Sequence, residues 1–310
     1  MTVSLSRRRK GSESLYEALK TILFFQMGIG ALANVTLFFR NVSPVWHGHK
    51  QRPPHTILTH MAVANLLDFV SAGIPYMKAA FVLRKPLSSL GCKFVYYIHR
   101  VARNTTMCST CILSTYRFLT LIPGRMVWTM LRGQAPKVIH PSCCICWMFS
   151  IFLNTYVPVN ITDAQQVGNS TDTQGKWFCS SLDPSANMVI LWVAVDAMFI
   201  GLMVWSSGSM VLLLHRHHQR VRYIHTPNSS HRHHLETRAA HTVLLLVATF
   251  VSFYVLNSIV TFYVAAFLDF HLWLIQTSSI LALCFPAFSP FLLILHNPGV
   301  SANFISVWAR

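Results

Sequence analysis

His99, Arg100 and Arg103 lie close together in an otherwise membrane-grade stretch, GCKFVYYIHRVARNTTMCSTCILSTYRFL, from Gly91 to Leu119. On a helix these three side chains share one flank. A charged group near the centre of a bilayer costs about 2.5–3.5 kcal/mol on insertion scales, so that flank must face protein rather than lipid. Asp196 sits in another apolar run, as far from its start as Arg100 is from Cys92, a depth of ~12 Å in each case. Two chemistries fit these groups: a structural ion pair, or a pocket where Arg100 or Arg103 meets the polar group of a ligand. Asp68 is a third charge within an apolar run. Enzyme chemistry is not expected, because there are only nine acidic residues and no phosphate-binding loop, nucleophile elbow or HExxH motif. HRHH occurs at 215–218 and again at 231–234, but no cysteine or carboxylate completes a metal site beside either. Both read as parts of a cationic loop facing lipid headgroups or a cytosolic partner. No metal or cofactor is expected.

The elements that must hold these groups are transmembrane helices. Of the 310 residues 53% are hydrophobic and 11% charged, against about 25% charged in an ordinary soluble domain. The net charge of +16 therefore points to loops meeting membrane lipid, not to nucleic acid. Seven apolar runs reach spanning length: about Tyr16–Phe39, Thr56–Leu83, Cys92–Ile122, Ser142–Val159, Met188–Leu214, Thr242–Phe267 and Leu272–Leu295. The expected fold is an all-α membrane protein, a seven-transmembrane helix bundle over 16–295 in the plasma membrane. Residues 1–15 form an extracellular N-terminus and 296–310 a short cytoplasmic tail. With the N-terminus outside and the C-terminus inside, the inner loops hold eleven Lys and Arg against four in the outer loops. The RRRK at 7–10 argues the other way and is outvoted by three loops. The first span reads as an uncleaved signal anchor.

On this topology Cys92 and Cys179 both face the oxidising side and can form a disulfide. The sequons at Asn160 and Asn169 lie in the same outer loop as Cys179 and are usable for glycosylation. Those at Asn34, Asn41, Asn104 and Asn228 fall in spans or inside. Cys108, Cys111, Cys143, Cys144 and Cys146 read as buried thiols, with palmitoylation an option for the last three. Gly30, Asn34, Asn65, Trp147 and Pro290 belong to the architecture, where small and amide side chains permit close helix contact and interhelical hydrogen bonds. Pro290 kinks its helix unless a neighbour satisfies the carbonyl it frees. Val300, Phe304, Val307 and Trp308 share a face of a short surface helix after the last span.

Arg117, twenty-five residues beyond Cys92, together with the Cys92–Cys179 arrangement, resembles the rhodopsin-like G-protein-coupled receptors. More closely, the chain resembles the vomeronasal type-1 receptors. The matching stretches are RPPHTILTHMAVAN (52–65), GIP (73–75), GCKFVYYIHRVAR (91–103), GLMVWSSGSMVLLLHRHHQRVRYIHT (201–226), RAAHTVLLLVATFVSFY (238–254) and CFPAFSPFLLIL (284–295). The resemblance implies a chemosensory receptor that binds a pheromone-like small molecule and activates an inhibitory-type heterotrimeric G protein in sensory neurons. By position it assigns His99, Arg100, Arg103, Asp196, Asn257 and Gln276 to the ligand, with interhelical hydrogen bonding an equal alternative for Asn257 and Gln276. Arg117, Arg220 and Arg222 fall to the G-protein side. The chain departs from the wider superfamily in having Thr115 before Tyr116-Arg117, Asn65 at the usual sodium-binding aspartate, and Ser289-Pro290 in the last span. A bitter-taste-like receptor is the alternative within receptors, and a transporter or channel the alternative outside them.

Overall fold

A computed structural model of the chain describes residues 2–48, 53–81, 89–122, 125–156, 158, 186–223, 230–267 and 272–295. Among them are seven helices: α1 (Thr2–Trp46), α2 (Pro53–Phe81), α3 (Ser89–Leu121), α4 (Arg125–Asn154), α5 (Ala186–Tyr223), α6 (Ser230–Phe267) and α7 (Leu272–Leu295). Each is longer than the roughly 20 residues a bilayer demands. Six carry a stretch apolar enough to cross one; α3 does not. Its Lys93, Arg100, Arg103 and Arg117, with the run of Asn, Thr and Ser from 104 to 110, lower its hydropathy.

The bundle resolves that mismatch by putting α3 inside. It packs against α2, α4, α5 and α6, while α1 closes the other side against α2 and α7. Where the polar face of α3 would meet lipid it meets helices. The main apolar core joins Met107 and Leu113 of α3 to Met203 and Met210 of α5, Leu246 and Phe250 of α6, and Phe285 of α7. Outward-facing residues such as Phe24, Phe25, Leu202, Trp205, Ile259 and Phe262 stay exposed, as expected where lipid tails are the solvent.

The helices outrun several sequence boundaries. α1 is already helical from Thr2, so the segment expected as a plain N-terminus continues the helix. α4 starts at Arg125, well before Ser142. α5 runs on to Tyr223 and α6 begins at Ser230. Both HRHH runs therefore lie on helical backbone rather than in a loop. The tail at 296–310 lies outside the described residues.

A polar knot ties α1, α2, α3 and α7 together. Pro290 has no N–H to give, which frees the carbonyl of Pro286 one turn earlier. Asn34 on α1 fills that vacancy: its Nδ2 donates to Pro286 O at 2.9 Å and to Gly30 O at 2.8 Å. Asn65 Nδ2 donates to Asn34 Oδ1 at 2.9 Å and to Ser289 Oγ at 3.2 Å. Thr106 completes the set by donating to Asn65 Oδ1 at 3.0 Å. All of these side chains are buried. Gly30 keeps α1 and α2 close, since a Cβ there would stand 2.5 Å from Cζ of Phe69.

The cysteine expectation needs two corrections. Cys108 and Cys146 are joined in a disulfide between α3 and α4, with Cα atoms 5.9 Å apart. They are not free thiols, because the register of the two helices sets them opposite one another. Cys111 and Cys143 are buried thiols, as expected, whereas Cys144 is exposed on the outer side of α4 rather than buried. Cys92 opens α3, but its side chain and all of Cys179 lie outside the described residues.

Candidate functional site

The cationic flank of α3 opens onto a narrow cleft with about 30 Å³ of enclosed space, part of it open to the surface. Arg103 and Thr106 line it from α3, Phe250, Tyr254 and Asn257 from α6, Phe285 from α7 and Asp68 from α2. The mixture of apolar wall and a few polar groups is the lining that small-molecule sites have. Aromatic rings dominate the α6 side, where Phe250 and Phe285 meet edge to face at 4.7 Å between centroids.

Each charge on the flank has a different partner. His99 Nδ1 lies 2.6 Å from Asp68 Oδ1, the carboxylate being almost wholly buried. Arg103 lies over the Tyr254 ring, 5.4 Å from its centroid. Arg100 lies over the Trp192 ring at 4.2 Å, and its Nε and Nη2 make no hydrogen bond. Asp196 is buried on α5 and accepts a bond from the hydroxyl of Tyr254 at 2.9 Å. The ion pair weighed for Arg100 and Asp196 does not form, whereas Asp68 and His99 do make an acid–base contact between α2 and α3. Aromatic faces hold both guanidiniums instead, and such a contact is worth ~2 kcal/mol or more when desolvated.

Of the six residues expected at the ligand, the structure brings Arg103 and Asn257 onto the cleft. His99 stands behind Asp68, and Arg100 and Asp196 flank the cleft on the α5 side. Asn257 accepts a hydrogen bond from Ser278 at 2.9 Å, so the interhelical role also holds for it. Gln276 is fully buried and does not line the cleft. Sequence reasoning missed Trp192 and Tyr254. The signal was their aromatic type at a helical position facing a cation, but which cation each would meet depends on helix register. Asp68 was noted as a buried charge without a role.

On the opposite end of α3, Arg117 is partly buried and its carbonyl accepts from Thr120. Arg220 and Arg222 lie on the last turns of α5, with side chains outside the described residues, as are Asn160 and Asn169 altogether.

A family model described as the vomeronasal organ pheromone receptor family matches residues 17–306. The chain belongs to that family. Vomeronasal type-1 receptor 4 of Homo sapiens is 34% identical over 301 residues, covering 96% of this chain and 99% of that protein. Vomeronasal type-1 receptor 1 of Homo sapiens is 35% identical over 280 residues, 89% of this chain and 79% of that protein. A more distant relative, olfactory receptor class A-like protein 1 of Danio rerio, is 28% identical over 285 residues, 90% and 89% of the two chains. As a vomeronasal family member the chain is a multi-pass membrane protein and a chemosensory receptor of the G-protein-coupled kind, not an enzyme. The bitter-taste-like and transporter alternatives give way to this assignment.

Proposed function

We propose that the chain is a plasma-membrane receptor that binds a pheromone-like small molecule in the cleft between α2, α3, α6 and α7 and activates an inhibitory-type heterotrimeric G protein. The observation that supports this reading is the cleft itself. Arg103 and Asp68 face one aromatic-walled space, and each is tied to a neighbour other than the opposite charge. A ligand that engages them must compete with Tyr254 and His99, so binding can change how α3 sits against α2 and α6.

The proposed orientation puts the N-terminus outside and the basic ends of α3 and α5 inside. Arg117, Arg220 and Arg222 then face the G protein. Cys92 pairs with Cys179 across the outer face, and Asn160 and Asn169 carry glycans in the same loop. Activation is a shift of population toward the state the ligand binds better. A differential affinity of about 3 kcal/mol moves the ratio of states by roughly two orders of magnitude.

The test is a nucleotide-exchange assay on the receptor reconstituted with an inhibitory-type G protein, screened with volatile and amphipathic small molecules. A hit whose potency falls in Arg103→Ala, with surface expression intact, is the expected result. Ligand-driven solute flux in liposomes without G protein would overturn it.

A further inference from the structure

The seam between α6 and α7 is closed unevenly along its length. On the side of the 268–271 link, Ser278 of α7 donates to Asn257 of α6 at 2.9 Å and lies 3.3 Å from the Thr261 hydroxyl. Seven residues further along each helix, Phe250 and Phe285 meet edge to face with centroids 4.7 Å apart. Equal spacing on the two helices is the register of an antiparallel pair, so Phe253 and Tyr254 of α6 lie level with Leu281 and Ala282 of α7. All four of these line the cleft. The Tyr254 hydroxyl is turned away to Asp196 on α5, and Ala282 adds only a methyl group at that level. What spans the seam here is a stacked pair: Phe253 and Phe288 lie 10° from parallel with centroids 5.8 Å apart. Phe288 is 51% exposed, so a single ring's thickness separates the cleft from the surface that meets lipid.

The enclosed part of the cleft holds about 30 Å³, so a ligand can enter only where the helices part. Parting them at Ser278 would leave hydroxyl and amide groups without partners in hydrocarbon, where each such group is costly. Parting them at Phe288 costs little by comparison, because lipid tails replace the ring contact with apolar contact of the same kind. The supply also lies on that side. Each methylene moved out of water favours the bilayer about fourfold, so an apolar molecule is concentrated in the membrane before it meets the receptor.

We infer that the stacked rings of Phe253 and Phe288 gate a lateral entrance between α6 and α7, through which an apolar ligand dissolved in the bilayer reaches the cleft. The entrance rests on the cleft being the ligand site, as proposed above, and adds the route to it. Swinging Phe288 outward opens a way bordered by Leu281 and Ala282, while the polar ties beside the 268–271 link and the Phe250–Phe285 contact stay closed. Solubility in lipid then becomes a condition for response beside fit to the cleft.

The experiment uses the full chain in phosphatidylcholine vesicles, irradiated with phenyl(trifluoromethyl)diazirine, which dissolves in the bilayer, or with its sulfonated analogue, which stays in water. Peptide mass spectrometry reads labelling of Phe250, Tyr254 and Phe285 on the cleft wall, relative to Phe24, which faces lipid on α1. The apolar reagent should label the wall and the sulfonated one should not. Phe288→Ala should raise wall labelling by the apolar reagent roughly two- to tenfold, the weight of one aromatic pair. Ala282→Trp, which fills the way in, should lower it by a similar factor, and decides the matter if Phe288→Ala fails to fold. Wall labelling by the sulfonated reagent equal to that by the apolar one, no wall labelling by either, or wall labelling unchanged in the folded variants would each overturn the entrance. With the entrance overturned, loss of agonist-driven nucleotide exchange in Arg103→Ala would leave the ligand reading of the cleft intact. Wall labelling that follows both variants as expected, with exchange unimpaired in Arg103→Ala, would do the reverse.

Discussion

Replacing Asn34 by alanine tests whether a side chain on α1 substitutes for the hydrogen bond that Pro290 denies α7. Asn34→Ala removes the bond to Pro286 O and the one accepted from Asn65. Interhelical bonds in membrane proteins average about 0.6 kcal/mol each in double-mutant cycles, whereas a buried carbonyl left unpaired costs about 1–3 kcal/mol. The expected loss is therefore roughly 1–3 kcal/mol, dominated by the orphaned carbonyl. In a Pro290→Ala background the restored N–H at position 290 closes the helix bond to Pro286 O. Asn34→Ala should then cost only about 0.6 kcal/mol, the bond from Asn65. SDS-titration unfolding of the four proteins in the cycle gives the coupling, and surface expression follows the same order. Equal cost of Asn34→Ala in both backgrounds would refute the reasoning, because the amide would then be stabilising something other than the proline gap.

Three further outcomes follow from the same geometry. Gly30→Ala should lower stability by about 1–3 kcal/mol, the usual cost of overpacking, since the new Cβ would meet the Phe69 ring at 2.5 Å; unchanged unfolding would show that α1 and α2 can part freely. Tyr254→Phe frees Asp196 to turn toward Arg100 and should weaken ligand potency by about tenfold or more in a nucleotide-exchange assay; unaltered potency would count against the aromatic–carboxylate link. Peptide mapping without reduction should recover Cys108 joined to Cys146, and two free thiols at those positions would contradict the α3–α4 register.

Much of the fold was legible because bilayer thickness sets run length and composition sets burial. Seven helices cover the seven runs, but the third is not apolar enough to cross a membrane and lies inside the bundle, while Gly30, Asn34, Asn65 and Pro290 sit at helix contacts as expected. Trp147 also bridges helices, donating from Nε1 to His60 on α2. Helix ends were less legible, since residues beyond the apolar run keep good helix propensity and no hydropathy signal marks where α5 or α6 stops. The cleft was legible in charge but not in pairing. Arg103 and Asn257 were expected there through the family resemblance, whereas depth in the spans made Arg100 and Asp196 look like an ion pair as much as ligand contacts. Their separation is a matter of rotation about α3 and α5, to which residue spacing along one chain is blind. The same blindness hid the Cys108–Cys146 bond and the indole beneath Arg100.

Aromatic rings rather than carboxylates at the two arginines have a consequence for how this receptor can be switched. A carboxylate would occupy the guanidinium N–H groups and cancel the charge, and a ligand would then have to break that pair before gaining anything. A ring meets the guanidinium through its face, which offsets part of the burial cost while leaving N–H groups unused. Arg100 shows this directly: it is stacked at 4.2 Å on Trp192 yet two of its nitrogens have no partner. A ligand oxygen therefore gains charge-assisted bonds without displacing a protein group. The positions of α3, α5 and α6 are linked through that same set of contacts, Arg100 to Trp192, Arg103 to Tyr254 and Tyr254 to Asp196. Occupying one end of the set changes the field at the other, so in the proposed function the residues that meet the ligand are also those that tie α3, α5 and α6 together.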